Sequence, residues 1–138
     1  MLQRREWEWK NRDKAFQVLD MLGIAGYHNR PCAGLPFGLL KLVELARALA
    51  ANPRLILLDE PTAGMNEQET YEMGMIIAEL RDYSDITVLL IEHDMNLVQK
   101  VCDRCVVLNF GELIAYGNPD QVMNDPKVIE AYLGGNSS

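Results

Sequence analysis

The stretch Leu55-Ile56-Leu57-Leu58-Asp59-Glu60-Pro61 constrains the chain most: four large aliphatic residues in a row, two adjacent carboxylates, and a proline that ends the run. A short continuous apolar run bounded by a turn residue reads as a fully buried strand of a parallel sheet, because helices cover both faces of such sheets. In open α/β sheets ligands bind beyond the carboxyl ends of the strands, so Asp59 and Glu60 stand where a metal ion and a reacting water could sit.

The rest of the chain alternates helices and strands around that run. Residues 5–22 carry Trp7, Ala15, Val18, Leu19 and Leu22 among charges, the pattern of an amphipathic helix, closed by Gly23. After a loop rich in proline and glycine, residues 39–51 are apolar on nearly every side and predict a mostly buried helix. Asn52-Pro53 breaks it and launches the Leu55 strand. Asn66 is placed to cap a helix over 67–82, with Glu67, Glu69 and Glu72 at its positive end. A second apolar strand, 86–91, ends in Glu92-His93-Asp94; a short helix over 95–102 leads to a third strand, 105–108. This order predicts right-handed crossovers in a parallel sheet. A tight turn at Phe110-Gly111-Glu112 returns residues 113–116 as an antiparallel arm, and Asn118-Pro119 and Asp125-Pro126 open two closing helices before a frayed glycine- and serine-rich tail.

Composition narrows the function. The chain has 138 residues, 49% of them apolar, enough for the core of one small domain or a piece of a larger one. No run is long enough to span a membrane and the first residues lack a signal-peptide core, so a cytosolic location is expected. Net charge is −7, and ten acids face the single base Arg81 between Asp59 and Asp94, which disfavours a nucleic-acid partner. Cys32, Cys102 and Cys105 suit a reducing compartment. The spacing of Cys102 and Cys105 is that of half a zinc site or a redox pair. With no second pair, they read as small buried hydrophobes at a helix end and a strand start.

Asp59 has the chemistry to hold a hydrated magnesium ion or one of its waters, and Glu60 to polarise an attacking water. His93, at the end of the neighbouring strand, can donate a hydrogen bond to a transferring phosphoryl group or orient it. A lone histidine is usually structural; here two strand ends carry polar groups at one sheet edge, which favours function.

These residues resemble the nucleotide-binding subunits of ATP-binding cassette (ABC) transporters. Leu55–Asp59 is similar to the Walker B strand, Glu60 falls on the catalytic glutamate and His93 on the switch histidine. Ala63-Gly64-Met65-Asn66 resembles the D-loop. Leu35-Pro36-Phe37-Gly38, leading into Val43–Leu49, resembles the signature loop and its helix. The Pro-aromatic-Gly signature and the ending from Asn124-Asp125-Pro126 to Tyr132-Leu133-Gly134 look like the ATPases of branched-chain amino acid importers. The resemblance implies a P-loop NTPase-like three-layer α/β fold with a parallel sheet, a C-terminal antiparallel hairpin and a remnant of the helical subdomain. It implies residues 1–52 as the end of that subdomain and 53–138 as the C-terminal half of the RecA-like core. It further implies ATP and Mg2+ as cofactors, with Leu35, Pro36, Phe37, Gly38, Asp59 and Asn66 on the nucleotide and Asp59 on the metal. The implied partners are a second ABC ATPase subunit and transmembrane permease subunits, at the inner face of the cell membrane.

Two departures shape the expectation. Leu39 and Leu40 stand where the family usually carries glutamine and polar residues, leaving the backbone N–H of Gly38 to meet phosphate. No G-x-x-x-x-G-K-[ST] occurs in the 138 residues, so the isolated chain is expected to be an inactive, truncated ATPase; the alternative is a non-enzymatic module that pairs with an intact subunit. In the family the strand preceding that loop lies between the strands ending at Ile91 and beginning at Cys105. Its absence predicts either direct pairing of those two strands or self-association, and self-association is favoured.

Overall fold

The computed structural model describes residues 2–133, with side chains from Lys10 to Tyr132. Two compact units divide the chain, Met1–Leu90 and Ile91–Ser138.

In the first unit, α1 (Leu2–Met21) packs against α2 (Phe37–Ala50). The N–H of Gly23 bonds the Asp20 carbonyl at 2.9 Å and that of Ile24 the Leu19 carbonyl at 2.8 Å, the paired bonds of a Schellman stop, with Ile24 buried behind it. Among the described side chains, the amphipathic stripe expected over 5–22 is confined to the end of α1. Val18 and Leu19 are half-buried and Leu22 buried, whereas Ala15 and Phe16 are exposed, and the side chain of Trp7 lies outside the described residues. Charged residues dominate the preceding turns, so the stripe has too few apolar members to extend further. Helix α2 is likewise less buried than its composition predicts. Leu45, Ala46 and Leu49 enter the core, Leu39, Leu40, Leu42 and Val43 are half-buried, and Ala48 is exposed beside Arg47. The helix ends where Asn52 takes φ +53° and its N–H bonds the Leu49 carbonyl at 2.9 Å; Pro53 then prevents continuation.

Strand β1 (Leu55–Asp59) leads through α3 (Glu67–Tyr83) to β2 (Thr87–Ile91), and the two strands pair in parallel, begun by the Thr87 N–H bonding the Arg54 carbonyl at 2.9 Å. Helix α3 buries Met73, Gly74, Ile77 and Leu80. The expectation of a fully buried β1 is overturned. Ile56 is 5% exposed, but Leu55 is 53% and Leu57 66%, and Leu89 and Ile91 of β2 are exposed as well. The residue types suit a strand covered on both faces; among the described residues only one face is covered, and alternation decides which leucines are buried.

In the second unit, α4 (Met95–Val101) precedes β3 (Cys105–Asn109), which pairs antiparallel with β4 (Glu112–Gly117). Val106 lies opposite Tyr116 and Leu108 opposite Leu113, with a bulge between Val107 and Leu108 that leaves Ile114 as the extra residue. Phe110 and Gly111 both have positive φ, as the two-residue turn of a tight hairpin demands. One hairpin face, with Cys105 and Val107, packs on Val122 of α5 (Pro119–Met123) and Val128 of α6 (Pro126–Val128). The Asn118 side chain accepts the Gln121 N–H and that of Asp125 the Lys127 N–H, both at 2.8 Å, so both expected caps form. The Tyr132 hydroxyl donates to the Leu108 carbonyl at 2.6 Å, fastening the helical turn 129–133 onto the hairpin.

The α/β fold class stands, but the strands do not form one run of crossovers. Among the described residues the sheets are β1 with β2 and β3 with β4, each two-stranded, so every strand is an edge strand of its own sheet. No helix among the described residues is long and apolar enough to cross a membrane.

One-sided burial predicts unequal costs along β1. Ile56→Ala should lower the unfolding free energy by about 3 kcal/mol, and Leu57→Ala by less than about 1 kcal/mol, in urea titrations of the monomer. In sedimentation, Leu57→Ala should weaken concentration-dependent association; equal losses of stability would show that both faces are covered.

Candidate functional site

The loop before α2 is closed by the Leu35 N–H bonding the Cys32 carbonyl at 3.1 Å, and Pro36 is the N-cap of the helix, its carbonyl accepting the Leu40 N–H at 3.1 Å. Proline has no side-chain oxygen, so the N-cap residue makes no side-chain capping bond to the first turn of α2. An uncapped helix N-terminus, with its N–H groups and positive dipole end, suits an anion.

The loop after β1 lies against this turn. A Cβ on Gly64, at φ +80°, would come 3.3 Å from a ring carbon of Phe37, and a Cβ on Gly38 would come 2.6 Å from Glu69 Oε1. Glu69 is itself held, for the Asn66 side chain accepts the Glu69 N–H at 2.9 Å while the Asn66 N–H donates to Glu69 Oε2 at 3.0 Å. This reciprocal capping box starts α3. The structure thus brings together Phe37, Gly38, Gly64 and Asn66, residues 26 or more positions apart at the join, in one unit. Lys41 stands over the Phe37 ring, 5.6 Å from its centroid, on the next turn of α2.

Asp59 and Glu60 close β1, both exposed. Asp59, Lys41, Glu44 and Pro61 line a shallow cavity of about 200 Å³ floored by Leu45, Leu58 and Met73. Glu60 adopts φ +46°, an uncommon conformation for a residue other than glycine, and its carbonyl accepts the Ala63 N–H at 3.1 Å. Left-handed backbone at a carboxylate is the kind of local cost that concentrates at functional positions.

His93 is exposed and belongs to the second unit, where its N–H bonds Glu92 Oε2 at 3.3 Å. The next residue, Asp94, caps α4 by accepting the N–H groups of Asn96 and Leu97 at 2.9 and 3.1 Å. That cap fixes the backbone on the C-terminal side of His93. Among the described residues no group of three or more His, Cys, Asp or Glu side chains could hold a metal by itself. Magnesium commonly takes one or two carboxylates and completes its shell with water and phosphate, so Asp59 fits a shared ion and not a dedicated protein cage.

Sequence reading found every loop of this arrangement and placed Glu69 in the first turn of α3, but not its capping box or its approach to Gly38. The Asn66-x-x-Glu69 spacing was the available signal.

The sequence pattern described as "ABC transporter" matches residues 2–63, and that described as "Branched-chain amino acid ATP-binding cassette transporter" matches residues 112–137. The chain belongs to the ABC transporter ATP-binding family. The high-affinity branched-chain amino acid transport ATP-binding protein LivG of Escherichia coli is 44% identical over 122 residues, covering 88% of this chain and 48% of LivG. BraF of Pseudomonas aeruginosa, described in the same words, is 41% identical over 130 residues, covering 94% of this chain and 51% of BraF. The crystal structure of the ADP conformation of MJ1267, an ATP-binding cassette of an ABC transporter, superposes with a TM-score of 0.82 at 36% identity, covering 91% of this chain and 50% of that one. A nucleotide-free ATP-binding cassette gives 0.80 at 35% identity, with coverages of 89% and 50%. The chain therefore spans about half the length of the relatives it matches.

Substitutions at three positions, Gly38, Glu69 and Glu60, probe this candidate site through stability. Gly38→Ala displaces the Glu69 carboxylate and weakens the bond it accepts from the Asn66 N–H, which should cost up to about 1 kcal/mol; in a Glu69→Ala background that cost should largely vanish, which thermal unfolding of the cycle would reveal. Glu60→Gly should raise stability by about 1 kcal/mol and Glu60→Ala should not, because only glycine relieves the left-handed strain.

Proposed function

We propose that the chain is the C-terminal portion of the ATP-hydrolysing subunit of an ABC importer of the branched-chain amino acid type. The observation that carries this reading is the seating of Phe37 and Gly38, at the uncapped start of α2, against the Gly64–Asn66 loop that follows the Asp59-Glu60 strand end. A helix end suited to an anion thus lies against the loop that follows a carboxylate-bearing strand end. The kind of relative matched, in LivG and BraF, supports the transport class.

In this reading the N–H groups at Gly38 face the terminal phosphate of a nucleotide held by a partner ATPase subunit, with Leu35, Pro36 and Phe37 shaping the loop. Asn66 takes part in the same contact. Magnesium carried by the phosphates would offset their negative charge, with Asp59 holding it or one of its waters. Glu60 accepts a hydrogen bond from the attacking water and raises its nucleophilicity; His93 donates to the phosphoryl oxygens or orients the loop around them. Residues 1–52 then form the end of the helical subdomain and 53–138 the second half of the RecA-like core. The subunit works at the inner membrane face with permease subunits. Because the 138 residues contain no phosphate-binding loop, the chain by itself is expected to have neither tight ATP binding nor turnover.

Two measurements test this. Calorimetry of the isolated chain with Mg-ATP should give no micromolar binding. In a chain joining residues 1–138 to a matching first half, Glu60→Gln should abolish hydrolysis with nucleotide affinity retained, and His93→Ala should also lose turnover. Parental hydrolysis in both variants would refute the assignment.

A further inference from the structure

The two cysteines at the end of α4 and the start of β3 have no part in the proposed reaction, yet both belong to the apolar packing of the second unit. Cys102 is the C-cap of α4, its N–H bonding the Val98 carbonyl at 3.0 Å; Cys105 is the first residue of β3, opposite Gly117. The Cys102 side chain packs against the cluster that contains Cys105, and the two thiols interact. Both lie in one apolar cluster with Val98, Val107, Val122 and Val128, where Cys105 is 7% exposed and Cys102 half-buried. All three cysteines of the chain are thiols, and Cys32, in the first unit, is exposed.

We propose that Cys102 and Cys105 are an oxidisable dithiol, which closes to an intramolecular disulfide when a low-molecular-weight disulfide such as glutathione disulfide supplies the oxidant. Packing of both side chains into one small cluster, three residues apart in the chain, places the sulfurs within reach of each other, and the half-buried position of Cys102 makes it the sulfur a dissolved reagent meets first. Cys102, losing its proton, attacks one sulfur of glutathione disulfide; a mixed disulfide forms and one glutathione leaves as thiol. Cys105, losing its proton, then attacks the Cys102 sulfur. The bond to glutathione breaks, the protein disulfide forms, and the second glutathione leaves. Two protein thiols are oxidised and one glutathione disulfide is reduced to two thiols. Burial raises the pKa of Cys105, partly offset by the hydrogen bond with Cys102, so Cys105 suits the later, resolving role and not the first attack. A metal-site reading lacks ligands, since no third His, Cys, Asp or Glu joins the pair among the described residues. The new bond would tie the far end of the helix that starts two residues after His93 to the first rung of the hairpin.

The test uses the intact chain under native conditions. It is exposed to glutathione disulfide, its remaining thiols are alkylated, and tryptic peptides are read by mass spectrometry; cleavage after Arg104 places Cys102 and Cys105 on different peptides. The expected product is a Cys102–Cys105 linked pair, with Cys32 alkylated or carrying glutathione. Cys105→Ala, which keeps the site apolar, should instead accumulate glutathione on Cys102. Recovery of both thiols alkylated while Cys32 has reacted, or of a lasting glutathione adduct on Cys102 in the unsubstituted chain, overturns the proposal.

Discussion

The arrangement depends on one steric fact: at Gly38 a β-carbon fits only if the Glu69 carboxylate moves out of the space it occupies. Glu69 stays there because it is one half of the capping box that starts α3. Three local decisions therefore become one. Where α2 begins, where α3 begins, and how the turn after β1 runs are set by the same small set of contacts among Gly38, Gly64, Phe37, Asn66 and Glu69. Anything that moves the start of α3 moves the helix end proposed to face phosphate.

A different constraint governs the strands. β1 and β2 have the unbroken apolar composition of strands covered on both sides, yet Leu55, Leu57, Leu89 and Ile91 are open to solvent. The hairpin repeats the situation, with Val106, Leu108, Leu113 and Tyr116 exposed on its outer face. Exposed aliphatic rows beside open strand edges are a liability in a chain on its own. The composition of these strands suits a larger covered sheet better than the two narrow pairs formed here.

Much of this was legible in the residues. Asn66, Asn118 and Asp125 were read as caps because their side chains meet backbone N–H groups a few positions away, a purely local chemistry. Asn52-Pro53 and Gly23 stop helices for equally local reasons. The failures share a cause: the burial of Leu57, the width of the stripe on α1 and the surroundings of α2 depend on what lies across from them in space, which periodicity does not encode. The left-handed backbone of Glu60 was illegible too, since nothing about a glutamate before a proline announces positive φ. Asp94 was read only as a neighbour of His93, and its cap on α4 emerges once the helix start is placed.

The cap at Asn66 also limits what that residue can say to a ligand. Its side-chain oxygen is engaged by the Glu69 N–H, and its own backbone N–H by the Glu69 carboxylate, so the side-chain amide hydrogens are the polar hydrogens left to it. Whatever group it meets across an interface through them has to be an acceptor, such as a carbonyl, a carboxylate or a phosphate oxygen. Aspartate would keep the cap and reverse the polarity of that outward edge, turning an invitation to anions into a refusal while leaving the helix where it is.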